Sequence, residues 1–241
     1  MLRKLAFVSL VVAAASTQAQ LYSQMPHTPG AAGGNGLSGI QGNLGTVGVD
    51  FDREVADDFV VTGAGWSINR IVTSWVRNVP TDTNAITGWD IQFFNGAGGT
   101  VGSLVATASV GSFSELAGPG TYFTRPEVLL DVNITPIVLG PGTYFMKFQP
   151  LVNHNWFWLT SSPTTPISGS PAQVQRGSFT SAGNDATWPA TWQPTGPGNV
   201  IFPTASDQAF NLYGSPVPEP ATMAALGIGL AALLRRRRNK A

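Results

Sequence analysis

Apolar and polar residues alternate along several short segments of the chain, with the period of two that is typical of half-buried β-strands. The clearest alternation covers residues 89–93, 144–149 and 210–213. In the second of these segments Tyr144, Met146 and Phe148 share one side, and we expect that side to face a core. The pattern therefore predicts strands that each bury one face.

β-Branched and aromatic residues indicate further strands at 66–68 and 71–76, with a change of phase at Asn69 and Arg70 that predicts a β-bulge. The remaining candidates are residues 101–110, 128–132 and 137–139. Clusters of Gly, Pro, Asn and Asp separate all of these segments, and no window shows an amphipathic helical stripe. The predicted fold is an all-β, antiparallel β-sandwich.

Two near-identical segments, Gly118–Phe123 and Gly140–Phe145, both read Gly-Pro-Gly-Thr-Tyr-Phe. We predict that each is a turn leading into a strand, since Pro restricts the turn and Thr-Tyr-Phe favours a strand. Trp156 and Trp158 share one strand face and are predicted to lie in the core, because each side chain buries a large area.

The amino-terminal end has the three parts of a secretory signal peptide. Arg3 and Lys4 precede the apolar run 5–15, and small residues follow. Thr17 and Ala19 occupy the −3 and −1 positions if signal peptidase cuts after Ala19. We therefore predict a signal peptide over 1–19, then a flexible Gly-rich stretch over 20–48 and a sandwich domain over 49–215.

The carboxyl-terminal end combines prolines, a short apolar run and a basic cluster. Pro218 and Pro220 precede the apolar residues 221–234, which predict a short transmembrane helix. Four arginines follow and favour the cytoplasmic side of the membrane, which leaves the body outside. These are Arg235, Arg236, Arg237 and Arg238.

The carboxyl-terminal residues 216–241 resemble the PEP-CTERM sorting signal. The matching elements are Val217, Pro218, Glu219 and Pro220, the short apolar run, and the terminal arginines. The resemblance implies a Gram-negative bacterial protein that is held transiently in the inner membrane. It also implies an exosortase that cuts near Pro-Glu-Pro, and delivery to the periplasm, cell surface or exopolysaccharide matrix of a biofilm. The segment 140–148 resembles a strand of jelly-roll-like sandwich domains of secreted bacterial proteins.

The amino-acid composition excludes several kinds of functional site and disfavours one class of partner. The chain has no Cys, which excludes a disulfide scaffold, a thiol nucleophile and a thiolate metal site. The net charge of zero sums a basic signal peptide, a basic tail and an acidic body. An acidic body disfavours nucleic acid as a partner.

Five carboxylates lie within nine residues and can supply oxygen ligands for Ca²⁺, although no cofactor is otherwise indicated. An alternative interpretation is a solvated edge strand that discourages aggregation. The carboxylates are Asp50, Asp52, Glu54, Asp57 and Asp58.

Two tryptophans, Trp188 and Trp192, occur in a Pro-rich loop. Aromatic side chains on a loop can bind exopolysaccharide, or they can cap one end of the sandwich. The sequence leaves a carbohydrate-binding module as the alternative to a non-catalytic surface or matrix protein.

Enzymatic motifs are missing from the sequence, and we predict that the protein is not an enzyme. A glycosidase needs only two carboxylates facing a cleft, which no motif reveals. A glycan-active enzyme is therefore a second alternative, with Asp90, Glu115, Glu127 and Asp131 as available carboxylates.

Overall fold

The computed structural model describes residues 18–25, 37–40, 53–77, 85–122, 124–152, 156–161, 170–176, 190–195, 207–219, 227–229 and 235–236. Most of these residues lie in antiparallel strands, which confirms the all-β prediction. The strands are β1 Ala19–Ser23, β2 Leu37–Ile40, β3 Arg53–Val61, β4 Trp66–Arg77, β5 Gly88–Ala97, β6 Thr100–Thr107, β7 Val110–Tyr122, β8 Arg125–Leu139, β9 Gly142–Leu151, β10 Trp156–Ser161, β11 Gln173–Arg176, β12 Gln193–Pro194, β13 Asp207–Gln208 and β14 Phe210–Pro216.

The described strands form two sheets. In sheet 1, β4 is the central strand and pairs with β8 on one side and with β14 and β10 on the other. The strands β7, β1, β2 and β13 complete this sheet at its margins. Sheet 2 has the order β12-β11-β3-β9-β5-β6. A jelly-roll-like strand order stays a prediction.

The two sheets share one apolar core. Trp75 and Trp158 of sheet 1 stack with ring centroids 5.6 Å apart, and Phe148 of sheet 2 lies about 6 Å from both rings. Trp156 and Trp158 are 1% and 0% exposed, which confirms that they are core residues. Burial of such large aromatic surfaces is the main driving force that holds the sheets together.

The predicted bulge is present in β4. The register with β8 shifts between Ile68 and Arg70, and both Ile68 and Ile71 are fully buried on either side of the shift. Arg70 donates to Asp131 in a bidentate pair with both N–O distances at 2.7 Å. The extra residue of the bulge thus keeps both isoleucines in the core and allows the Arg70 side chain to pair with Asp131.

The two Gly-Pro-Gly segments have different structures. The second forms the turn that leads into β9, as predicted. The first lies inside β7, where the register with β8 shifts between Ala117 and Thr121, so the predicted turn there is wrong. The buried Glu127 carboxylate explains the difference, because it accepts a 2.8 Å hydrogen bond from the Gly120 N–H. A backbone that bulges around a carboxylate is not visible in the local sequence.

Other boundaries also differ from the sequence prediction. The segments 128–132 and 137–139 belong to one long strand, β8. Within the stretch 20–48 that is predicted to be flexible, part of β1 pairs with β14 and all of β2 pairs with β10.

Candidate functional site at the chain ends

The sandwich ends just before the Pro-Glu-Pro sequence. Pro216, the last residue of β14, is opposite Trp66 of β4. The Val217 N–H then donates a 2.9 Å hydrogen bond to the Gly65 carbonyl. Pro218 and Glu219 follow outside any strand and are exposed. The recognition segment therefore leaves the body directly after its last backbone hydrogen bond.

Gly65 allows this final hydrogen bond. Its φ is +121°, a conformation that side chains rarely adopt, and a Cβ there would lie 2.4 Å from the Leu139 carbonyl oxygen. The close approach of Gly65 to Leu139 presents the Gly65 carbonyl to Val217. Pro218 has no N–H and cannot continue the ladder, so the strand pairing stops here.

The predicted signal peptidase site lies beside this exit. Ala19 begins β1 and is opposite Gly214 of β14, and Gln20 is opposite Tyr213. Both Ala19 and Gln20 are exposed. Thr17 lies outside the described residues. The structure thus brings the predicted amino-terminal cleavage site next to the strand that leads into the Pro-Glu-Pro segment.

The tail itself is described only in part. Residues 227–229 are helical and exposed, and so are Arg235 and Arg236. Pro220, Arg237 and Arg238 lie outside the described residues, as does most of the predicted transmembrane helix. Within the portion of the chain that the structure describes, no helix is long and apolar enough to cross a membrane.

The structure describes three of the acidic residues proposed for Ca²⁺, and these three do not share one face of β3. Asp50 and Asp52 lie outside the described residues. Glu54 and Asp57 are three positions apart in β3, so their side chains project from opposite faces of the strand. Glu54, Asp57 and Asp58 are at most 3% exposed, and β3 lies between β11 and β9. The solvated-edge interpretation is therefore wrong for these three residues.

Glu54 belongs to a buried ion cluster that the sequence does not reveal. Lys147 Nζ donates to Glu54 Oε1 and to Asp90 Oδ2, each at 2.6 Å. Gln175 Nε2 donates to the second oxygen of Glu54, also at 2.6 Å. With both oxygens of Glu54 occupied and an ammonium group beside them, the cluster disfavours a cation.

Asp57 projects from the opposite face of β3 and joins the two sheets. Its carboxylate accepts hydrogen bonds from the backbone N–H of Asp58 and of Gln208 in β13. Burial raises the pKa of Asp57 well above its usual value, and the charge of Asp207 raises it further. The backbone donors oppose this shift without cancelling it.

We expect Asp57 to make the protein more stable at mildly acidic pH than at neutral pH. Because its pKa is raised in the folded state, the folded chain binds this proton more tightly than the unfolded chain. Stability is gained below the folded pKa and is lost as pH rises from about 4 through that value, with a slope of at most about 1.4 kcal/mol per pH unit. Urea denaturation at a series of pH values measures the slope.

Two variants identify the residue responsible for this pH dependence. Asp57→Asn carries no titrating proton and should flatten the slope. Asp207→Asn removes a repelling charge and should narrow the pH range over which stability is lost, without abolishing the loss. Equal slopes for the wild-type protein and Asp57→Asn would contradict the assignment.

The loop tryptophans are only partly described. Trp188 lies outside the described residues. Trp192 is half-buried, and its ring meets Phe94 of sheet 2 edge-on at 6.1 Å. Part of the Trp192 side chain therefore covers sheet 2.

The carboxylates considered for glycoside chemistry all have partners. Asp90 pairs with Lys147, Glu115 with Arg77 and Asp131 with Arg70. Glu127 accepts hydrogen bonds from Ser74 and Gly120, and together with burial its charge raises the pKa of Tyr122 to about 12. In the described residues these four carboxylates form ion pairs or accept hydrogen bonds.

A family model for the PEP-CTERM protein-sorting motif matches residues 216–238. No curated protein and no solved structure matches the chain. The motif marks exported proteins that pass the membrane and are processed by an exosortase. Its first residue, Pro216, is also the last residue of β14, so the boundary of the motif coincides with the boundary of the fold. The chain is therefore a PEP-CTERM domain-containing protein.

Proposed function

We propose that the sandwich is a non-catalytic protein of the cell surface or exopolysaccharide matrix, delivered there after its tail is cut. In this proposal residues 1–19 direct export, and residues 221–234 hold the precursor in the inner membrane. Exosortase then recognises Pro218, Glu219 and Pro220. The observation that carries the proposal is the end of the body at Val217, because a cut near Glu219 removes none of the described strands.

The charge of the body supports release into water. Between residues 20 and 218 there are six basic and twelve acidic residues, which gives a net charge of −6. A net negative charge favours solubility and opposes adsorption to anionic lipid. Processing thus removes both basic ends, and the remaining acidic body is repelled by an anionic membrane surface.

Two exposed edges support a role in a matrix. Among the described strands, β7 is one edge strand of sheet 1 and β6 is one edge strand of sheet 2. They expose Phe113 and Leu116 on β7, and Leu104 and Val105 on β6. Long edge strands with apolar side chains and few charges are templates for pairing with other chains. Such edge strands favour assembly of the protein with other chains, edge to edge.

Replacing Pro218, Glu219 and Pro220 with Ala should abolish processing in a host that has exosortase. The expected product retains Arg235 to Arg238, and intact-mass spectrometry of the mature protein detects them. Pro136→Ala is a matched control, since it replaces an exposed proline within β8 and should leave processing unchanged. A wild-type product that still carries the arginines would refute the sorting proposal.

A further inference from the structure

Both termini of the body leave from one end of the sandwich. The first strand, β1, runs antiparallel to the last strand, β14, with Ala19 opposite Gly214. The chain therefore enters the body and leaves it on neighbouring strands. The apolar run 5–15 precedes this end, and the apolar run 221–234 follows it.

Among the described residues, three turns lie at this same end, which we call the Gly140 end. These are the turns at 62–65, 97–100 and 140–142. Strand register places them together: Val61 is opposite Gly142, and Asn95 is opposite Tyr144. The sequences of these turns are Thr-Gly-Ala-Gly, Ala-Gly-Gly-Thr and Gly-Pro-Gly, and none contains a charged residue.

Several charged side chains lie toward the other end of the sandwich. Glu127 is opposite Val76, near the end of β4, and Arg77 is the last residue of that strand. The Lys147 cluster lies in the half of sheet 2 away from Gly142, since Asp90 is opposite Gln149. Asp58 and Arg70 lie nearer the Gly140 end but within strands, so the three described turns of that end can approach lipid without removing a charge from water.

The tail leaves little room between the body and the membrane. Val217 is fixed by its hydrogen bond to Gly65, and the apolar run begins at Ala221. Four extended residue steps span at most about 14 Å. The end that carries Val217 must then lie near the headgroups whenever the apolar run is in the bilayer.

We propose that the precursor stands on the lipid bilayer on its Gly140 end, with the opposite end, which carries Ala85 just before β5, directed away from the membrane. This orientation rests on the proposed function only in that residues 221–234 enter the bilayer. It also places the predicted signal peptidase and exosortase sites at the same membrane surface. Both enzymes would then act on one end of one folded body.

Energy transfer from single labels to labelled lipids tests the orientation. The chain has no Cys, so Gly140→Cys and Ala85→Cys each provide one labelling site. Both positions are exposed, and a Cβ at Gly140 meets no atom within 4 Å, so both variants should fold. The label positions lie near opposite ends of β9, whose ten residues separate them by roughly 30 Å.

The full chain is placed in phosphatidylcholine and phosphatidylglycerol vesicles that contain an acceptor lipid. Transfer from Gly140→Cys should exceed transfer from Ala85→Cys at least about twofold, because of the roughly 30 Å difference in height. Deletion of residues 221–234 should reduce transfer to background at both positions. Equal transfer from the two positions in the full chain would overturn the proposal.

This measurement contains no exosortase, so it separates the orientation from the sorting proposal. Loss of processing in cells with the expected transfer in vesicles would refute sorting alone. Normal processing with equal transfer would refute the orientation alone. A second measurement adds exosortase to the vesicles. If energy transfer from the Gly140→Cys label to the acceptor lipid appears only after this addition, the Gly140 end faces the peptidase and the proposed contact with lipid is overturned.

Discussion

Lys147→Met should lower the free energy of unfolding by about 3–5 kcal/mol, because it leaves two buried carboxylates without their cation. Lys147, Glu54 and Asp90 are 2%, 3% and 7% exposed. Domain stability is about 5–15 kcal/mol, so the loss is a large fraction of the total. Urea denaturation of the purified protein, followed by Trp fluorescence, measures it.

A variant that removes all three charges is the matched control. Lys147→Met combined with Glu54→Gln and Asp90→Asn should recover most of the loss, since no uncompensated charge stays buried. Gln at position 54 retains an oxygen that can accept from Gln175. A loss below about 1 kcal/mol for the single variant, or no recovery in the triple variant, would contradict this account.

Gly214→Ala should lower stability by about 3 kcal/mol, at the upper end of the usual cost of overpacking. A Cβ at Gly214 would lie 1.9 Å from the Ser67 carbonyl oxygen, and that oxygen belongs to the backbone of β4. The substitution must push β14 away from β4. Chemical denaturation measures the loss of stability.

The consequences of this substitution should be local as well as global. Since β14 also pairs with β1 and leads to Val217, hydrogen exchange should increase first in these two strands. Gly140→Ala is the control, because its Cβ meets no atom within 4 Å and its φ is not in the left-handed region. We expect the control to change stability by less than about 0.5 kcal/mol. Uniform exchange across the sandwich in Gly214→Ala would contradict a local displacement of β14.

Local features of the fold could be predicted from the sequence because they depend on neighbouring residues. The alternation at 89–93 and 144–149 placed two strands of sheet 2, and the phase change at Asn69 and Arg70 placed the bulge in β4. A period of two tells which side chains share a face of a strand. It therefore also indicated that Trp156 and Trp158 lie together in the core.

The same period does not tell whether the second face of a strand is covered. Lys147 alternates with apolar residues in β9, as a solvent-facing residue would, but it is buried in the ion cluster. Glu54 and Asp58 belong to an acidic segment that is typical of a solvated edge. Their burial depends on strand pairing with β11 and β9 and on partners up to 121 positions away along the chain.

The sequence by itself determined the sorting signal, because Pro-Glu-Pro, the apolar run and the arginines follow one another within one short segment of the chain. Only the tertiary structure decided where that signal lies relative to the body. Pairing of β1 with β14 joins residues almost 200 positions apart, and the hydrogen bond from Val217 to Gly65 ends the body next to the signal. Long-range strand pairing sets such proximity, and no local pattern encodes it.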